Sequence, residues 1–114
     1  MTDEEFQQGV TQLQNIQRQL QLYGSQRQRM EIEVVQMDSA LTELNKASGK
    51  VYKSIGTVLI EDKPASLRGD LVKRREDYNL KIETLKKQEK RLQDKGEELQ
   101  KKLQKQMEKR PAAS

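Results

Sequence analysis

Apolar side chains recur at steps of three and four through the N-terminal half of the chain, at Leu13, Ile16, Leu20, Tyr23, Met30, Val34, Met37, Leu41 and Leu44. Arg27 fills the one remaining position of that run. An unbroken alternation of this kind predicts a helix with a coiled-coil seam along one face. Ten glutamines and scattered charges fill the other positions of residues 1–46, as a solvated face requires. Thr2-Asp3-Glu4-Glu5 fits a capping box, in which the Thr2 hydroxyl and the Glu5 carboxylate satisfy orphan amides of the first turn. Ser48-Gly49 ends the helix, with Gly49 suited to a left-handed cap.

A second seam runs through Leu71, Arg75, Tyr78, Ile82, Leu85, Glu89, Leu92, Gly96, Leu99, Leu103 and Gln106, seven of them apolar. This helix should start between Pro64 and Ser66, since Pro is tolerated in a first turn and Ser66 is a candidate N-cap. Asp77/Lys81, Glu83/Lys87, Glu97/Lys101 and Glu98/Lys102 set acid before base four residues apart, each pair worth about 0.3 kcal/mol. Lys109 and Arg110 suit the negative end of the helix dipole, and Pro111 to Ser114 reads as a frayed tail.

Between the helices the pattern changes. Lys50 to Pro64, KVYKSIGTVLIEDKP, is where β-branched and aromatic residues cluster. It predicts two short strands joined at a tight turn, with Gly56 free to take positive φ. A lone hairpin is marginal in water, and the chain offers no further strand to pair with it. Val51, Tyr52, Ile55, Val58, Leu59 and Ile60 therefore read as an oligomerisation surface, the alternative being an ordered loop.

The two seams predict a long intramolecular antiparallel coiled coil with the hairpin between its helices, and in such a coil facing residues have numbers that sum to a constant. A sum of 115 or 116 sets Leu41 against Arg75, Met37 against Tyr78, Leu20 against Gly96 and Gly9 against Gln106. It also sets Arg27, the charged residue of the first seam, against Glu89. That layer is either a register-setting pair or two side chains that snorkel to solvent.

Composition fits this picture. With 114 residues, 32% of them hydrophobic and 4% aromatic, the chain is too lean for an ordinary globular core. A charged fraction of 35% dominated by Lys, Glu and Arg fits long helices. There is no cysteine and no histidine, which excludes thiol nucleophiles, disulfides and the usual zinc ligand sets. No enzymatic activity, cofactor or metal is expected, because the carboxylates lie on solvated helix faces with no pocket-forming core. The N-terminus is acidic, without a signal-peptide core, and no long apolar run occurs, so a cytoplasmic protein with no membrane partner is expected. The net charge of +4 is uneven: residues 1–46 carry −3 and residues 67–110 carry +6. Complementary halves favour lying side by side, which weakens a nucleic-acid reading of Lys86, Lys87, Lys90, Arg91, Lys101, Lys102 and Lys105.

The segment VYKSIGTVLIE at Val51–Glu61 resembles the linker hairpin of the β-type subunits of prefoldin, a hexameric chaperone of archaea and eukaryotes. LVKRREDY at Leu71–Tyr78 is similar to the family's opening of the second helix, with a departure at Arg75-Glu76 where a Leu is expected. One hairpin rather than two points to the β-type. The resemblance implies a mainly α fold, a single domain over residues 1–114: helix 3–47, β-hairpin 50–61, helix 65–109 and tail 111–114. It implies two α-type and four β-type subunits whose hairpins join inter-subunit β-barrels. It further implies an ATP-independent holdase that grips unfolded polypeptide at coiled-coil tips and delivers it to a group II chaperonin. No phosphate-binding G-x-x-x-x-G-K-S/T loop occurs in the sequence.

The residues themselves supply a tip chemistry. At the end formed by the start of helix one and the finish of helix two, Phe6, Val10, Leu13, Leu99, Leu103 and Met107 should be only partly covered and able to hold apolar segments weakly. The bland alternative is that each is an ordinary seam residue. A generic coiled-coil scaffold without chaperone activity is the competing reading of the whole chain.

Overall fold

The computed structural model describes residues 2–47 and 49–109. The expectations placed on Ser48, Arg110 and the tail 111–114 lie outside those residues. The elements follow in the order α1 (Asp3–Lys46), β1 (Val51–Ile55), β2 (Val58–Asp62) and α2 (Pro64–Lys109).

The ends of these elements have local causes. The Glu5 amide donates to Thr2 Oγ1 at 3.1 Å and the Phe6 amide to the Thr2 carbonyl at 2.9 Å, so Thr2 caps α1. Past Lys46 the backbone leaves the helix, and Gly49 takes a φ of 102° that an L side chain would resist. At α2 the expected Ser66 cap is not the one used. The Leu67 amide donates to the Lys63 carbonyl at 3.0 Å, which makes Lys63 the cap and Pro64 the first helical residue. Proline's fixed φ and missing N–H suit that position and leave Ser66 inside the first turn.

β1 and β2 pair antiparallel from Val51 opposite Asp62 to Ile55 opposite Val58, leaving Gly56-Thr57 as a two-residue turn. Gly56 has φ of 59° and Thr57 has no positive φ, the pattern of a type II′ turn, whose twist matches the strands.

Two compact units emerge, residues 1–27 with 84–114 and residues 28–83. In the first, Gly9, Ile16, Leu85, Gly96 and Leu103 are buried; in the second, Met37, Leu41, Leu44 and Ile82. Every position of both predicted seams is buried or half-buried. Heptad periodicity therefore identified the covered face of each helix, and the charged members Arg27, Arg75 and Glu89 are half-buried with the rest.

The expected Arg27–Glu89 layer is present, and the register departs from the expected one at the two glycines. In the first unit a methyl group on Gly9 would stand 2.8 Å from Leu103 Cδ2, and one on Gly96 3.4 Å from Ile16 Cγ2. Gly9 thus faces Leu103 rather than Gln106, and Gly96 faces Ile16 rather than Leu20, both pairs summing to 112. In the second unit Arg75 reaches Asp38, one helical turn before Leu41. The physical reason lies in shape. Each seam glycine is set against a branched side chain that fills the volume its missing Cβ leaves, and close packing favours that match.

Candidate functional site

Among the described residues, two of the surfaces that leave apolar groups uncovered match the expected ones. The first is the hairpin. Side chains alternate across a strand pair, so Val51, Ile55, Val58 and Ile60 share one face with Lys53 and Asp62, while Tyr52 and Leu59 share the other with Ser54 and Glu61. Val51 is half-buried; Tyr52, Ile55, Val58, Leu59 and Ile60 are all exposed. Apolar groups on both faces, and two strands that among the described residues pair only with each other, form a template for further strands. A Lys50–Glu61 pair at 3.8 Å, largely in water, adds little to the hairpin itself.

The second surface belongs to the unit that holds the start of α1 and the finish of α2. Phe6, Val10, Leu13 and Leu99 are half-buried, and Met107 is 63% exposed. Leu103 departs from the expectation of partial cover, because it is buried against Gly9. A side chain in place of the glycine hydrogen would have kept Leu103 out. Five of the six expected tip residues therefore keep apolar area open at this end, and the sixth belongs to the packed layer beneath them.

The polar contacts bear on the seam. Arg27 Nε donates to Glu89 Oε2 at 2.7 Å. Arg75 donates to Asp38 Oδ1 at 2.8 Å, a pair between the helices that periodicity did not single out. The signal was available in a charged residue on the second seam, Arg75, and an opposite charge beside the first, Asp38. The Tyr78 phenol is held above the ordinary tyrosine value, chiefly because it is hydrogen-bonded to Glu33. Among the expected acid-before-base pairs, Lys102 closes on Glu98 at 3.9 Å, whereas the Lys81 ammonium sits 5.7 Å from the Tyr78 ring centroid. Lys90 pairs instead with Asp94 at 3.0 Å, and the hydrogen bond raises the Lys90 pKa. Ile32, Val35, Leu22 and Leu80, none of them on a seam, are exposed and were missed by sequence reasoning, which followed the heptads alone. Among the described residues no helix is long and apolar enough to cross a membrane.

A strand pair with open edges, set between two capped helices that bury complementary seams, defines a class of helical subunits built around a linking hairpin. The prefoldin subunit family model matches residues 7–110. Prefoldin subunit beta of Archaeoglobus fulgidus is 37% identical over 97 residues, 83% of this chain and 84% of the relative. That of Thermococcus onnurineus is 33% identical, covering 82% of each. The crystal structure of the prefoldin beta subunit from Thermococcus strain KS-1 superposes with a TM-score of 0.82 at 28% identity, covering 94% of this chain and 95% of that one. The chain belongs to the prefoldin subunit family.

Proposed function

We propose that this chain is a β-type subunit of an ATP-independent holdase. Its hairpin joins those of α-type subunits and further copies of itself in an α2β4 hexamer, and its open coil end holds non-native polypeptide for delivery to a group II chaperonin in the cytoplasm. The observation that carries the reading is the incomplete cover at that end, where Phe6, Val10, Leu13 and Leu99 are half-buried and Met107 stands in solvent. Each contact is weak, and the flexible Met107 thioether adapts to many partners. Several arms acting on one client raise the effective concentration, so retention comes from multivalency rather than from one tight site.

The test is suppression of aggregation of a chemically denatured protein by the assembled oligomer. Phe6→Ser with Met107→Ser is expected to lose most of the protection while the native mass stays unchanged. Equal protection by that double variant overturns the tip assignment. Failure to form a hexamer with an α-type partner would leave the generic scaffold as the better reading.

A further inference from the structure

The basic excess of the chain is concentrated in the unit that holds the open end. Residues 28–83 carry ten Lys/Arg against ten Asp/Glu, whereas residues 84–109 carry nine against five. The acids of α1 do not offset that excess, because from Phe6 to Gln26 the helix has Arg18 as its one charge. Lys95, Lys102 and Lys109 stand seven residues apart, so they form one column along α2, and all three are exposed. The first two immediately precede the buried seam residues Gly96 and Leu103, which puts the column at the edge of the seam. At such an edge a coiled coil ordinarily sets an opposite charge on the facing helix, but here the α1 side is Gln12. Gln12, Ile16, Lys95, Glu98, Leu99 and Lys102 line an open groove of about 240 Å³. Within it Lys102 closes on Glu98 at 3.9 Å, with the two side chains 63% and 71% exposed. A pair that long and that wet holds its lysine weakly.

We propose that this groove is the polar half of the client site and that it selects, among non-native polypeptides, segments with an acid at every third residue and aliphatic residues between. The inference rests on the holdase reading and names the class of segment that the open end retains. Charge and spacing select that occupant. Lysines one heptad apart are separated by about 10 Å along α2. An unfolded chain in the polyproline II conformation repeats every three residues and about 9 Å, so carboxylates at i, i+3 and i+6 reach successive lysines from one side. The floor beneath the lysines is aliphatic, with Ile16 buried and Leu99 half-buried. An apolar side chain between the acids therefore gains cover from Leu99, which is also one of the residues left partly open at this end. An incoming carboxylate also takes over Lys102 from the loosely held Glu98. A row of phosphates suits the groove less well, because Glu98 stands among its lining residues and none of the six carries an aromatic ring for a base to stack on.

Binding of fluorescently labelled, unstructured peptides to the full-length protein in its native oligomeric state, followed by anisotropy, tests this. One peptide carries Glu at every third residue with Leu and Ser between, a second has Gln in place of Glu, and a third keeps Glu but replaces Leu by Ser. The first should bind about five to ten times more tightly than the second, through ion pairs added at the lysines, and should lose that advantage in high salt. Lys95→Gln with Lys102→Gln should abolish the advantage while the neutral peptide binds as before. Lys87→Gln with Lys101→Gln, the same loss of charge on exposed lysines that do not line the groove, should leave the advantage in place. No binding of either leucine-containing peptide refutes the holdase reading and removes this inference with it. Equal binding of the acidic and neutral peptides leaves that reading standing and overturns the proposal. An advantage that survives in the groove variant, or falls as far in the control variant, overturns it too. Binding of the leucine-free peptide as tight as the first would make the lysines a general anion surface without a role for the floor. A single-stranded oligonucleotide that outcompetes the acidic peptide and loses affinity in the groove variant would make the groove a phosphate site, and either result overturns the proposal.

Discussion

Arg27 on α1 and Glu89 on α2 meet in the seam with Nε 2.7 Å from Oε2, their side chains only 25% and 12% exposed. Gly24 stands beside them, and a methyl group there would lie 3.1 Å from Glu89 Oε1, so the glycine helps make room for the carboxylate. The pair is a contact between helices rather than two side chains escaping to water. Its net contribution to stability is small, since desolvation offsets much of the attraction. Breaking one side is another matter, because it leaves a partly buried charge unmatched.

Glu89→Ala or Arg27→Ala alone should therefore destabilise the chain by about 1–2 kcal/mol. Arg27→Met combined with Glu89→Leu should return to wild-type stability or exceed it. Urea unfolding followed by helical circular dichroism measures both, and additive losses in the double-mutant cycle would contradict a direct pair.

Two helical glycines predict opposite outcomes on replacement by alanine. Gly9→Ala gains helix propensity but forces a methyl 2.8 Å from buried Leu103 Cδ2, and the overpacking should leave a net loss of about 1 kcal/mol. Around Gly69 nothing lies within 4 Å, so Gly69→Ala should stabilise by about 0.5–1 kcal/mol. Midpoints of urea unfolding, with Gly9→Ala rescued by Leu103→Val, test the packing argument.

The exposed hairpin face predicts a separation between folding and assembly. Ile55→Lys with Ile60→Lys touches no buried layer of the helices, so helicity should persist while the native mass falls to that of a single chain or an incomplete oligomer. Gly56→Val attacks the same element through the backbone, since φ of 59° costs a β-branched residue about 1–2 kcal/mol. Analytical ultracentrifugation reads both variants, and a full oligomer from the double-lysine protein would exclude the hairpin as the assembly surface.

Tyr78 gives a prediction in pH. Its hydrogen bond to Glu33 favours the neutral phenol, so its folded pKa lies above the unfolded one. The stabilisation is fully present below the ordinary tyrosine value near 10 and is lost as pH rises through the raised one. Glu33→Gln removes the carboxylate's charge and should move the titration toward lower pH. Ultraviolet difference titration, with Tyr78→Phe to assign the transition among the three tyrosines, follows this directly.

Local chemistry and periodicity account for most of what the sequence determined by itself. Thr2 as a cap, Pro64 in a first turn, Gly56 at the turn and every covered seam position follow from short-range backbone preferences or from the 3.6-residue helical repeat. The hairpin's exposed aliphatic side chains were legible for the same reason, as strand residues with nothing left in the chain to cover them.

Tertiary structure decided the rest. A heptad pattern states which face of a helix is buried, yet sliding one helix along the other by part of a turn keeps apolar against apolar and changes the pattern hardly at all. Steric fit chose among those alternatives, setting Gly9 against Leu103 and Gly96 against Ile16. That choice buried Leu103 at the open end and left Met107 in solvent, and within residues 28–83 the fold brings Asp38 to Arg75. Exposed Ile32 and Val35 stayed outside any seam, because helical repetition marks the covered side and is silent about the side opposite.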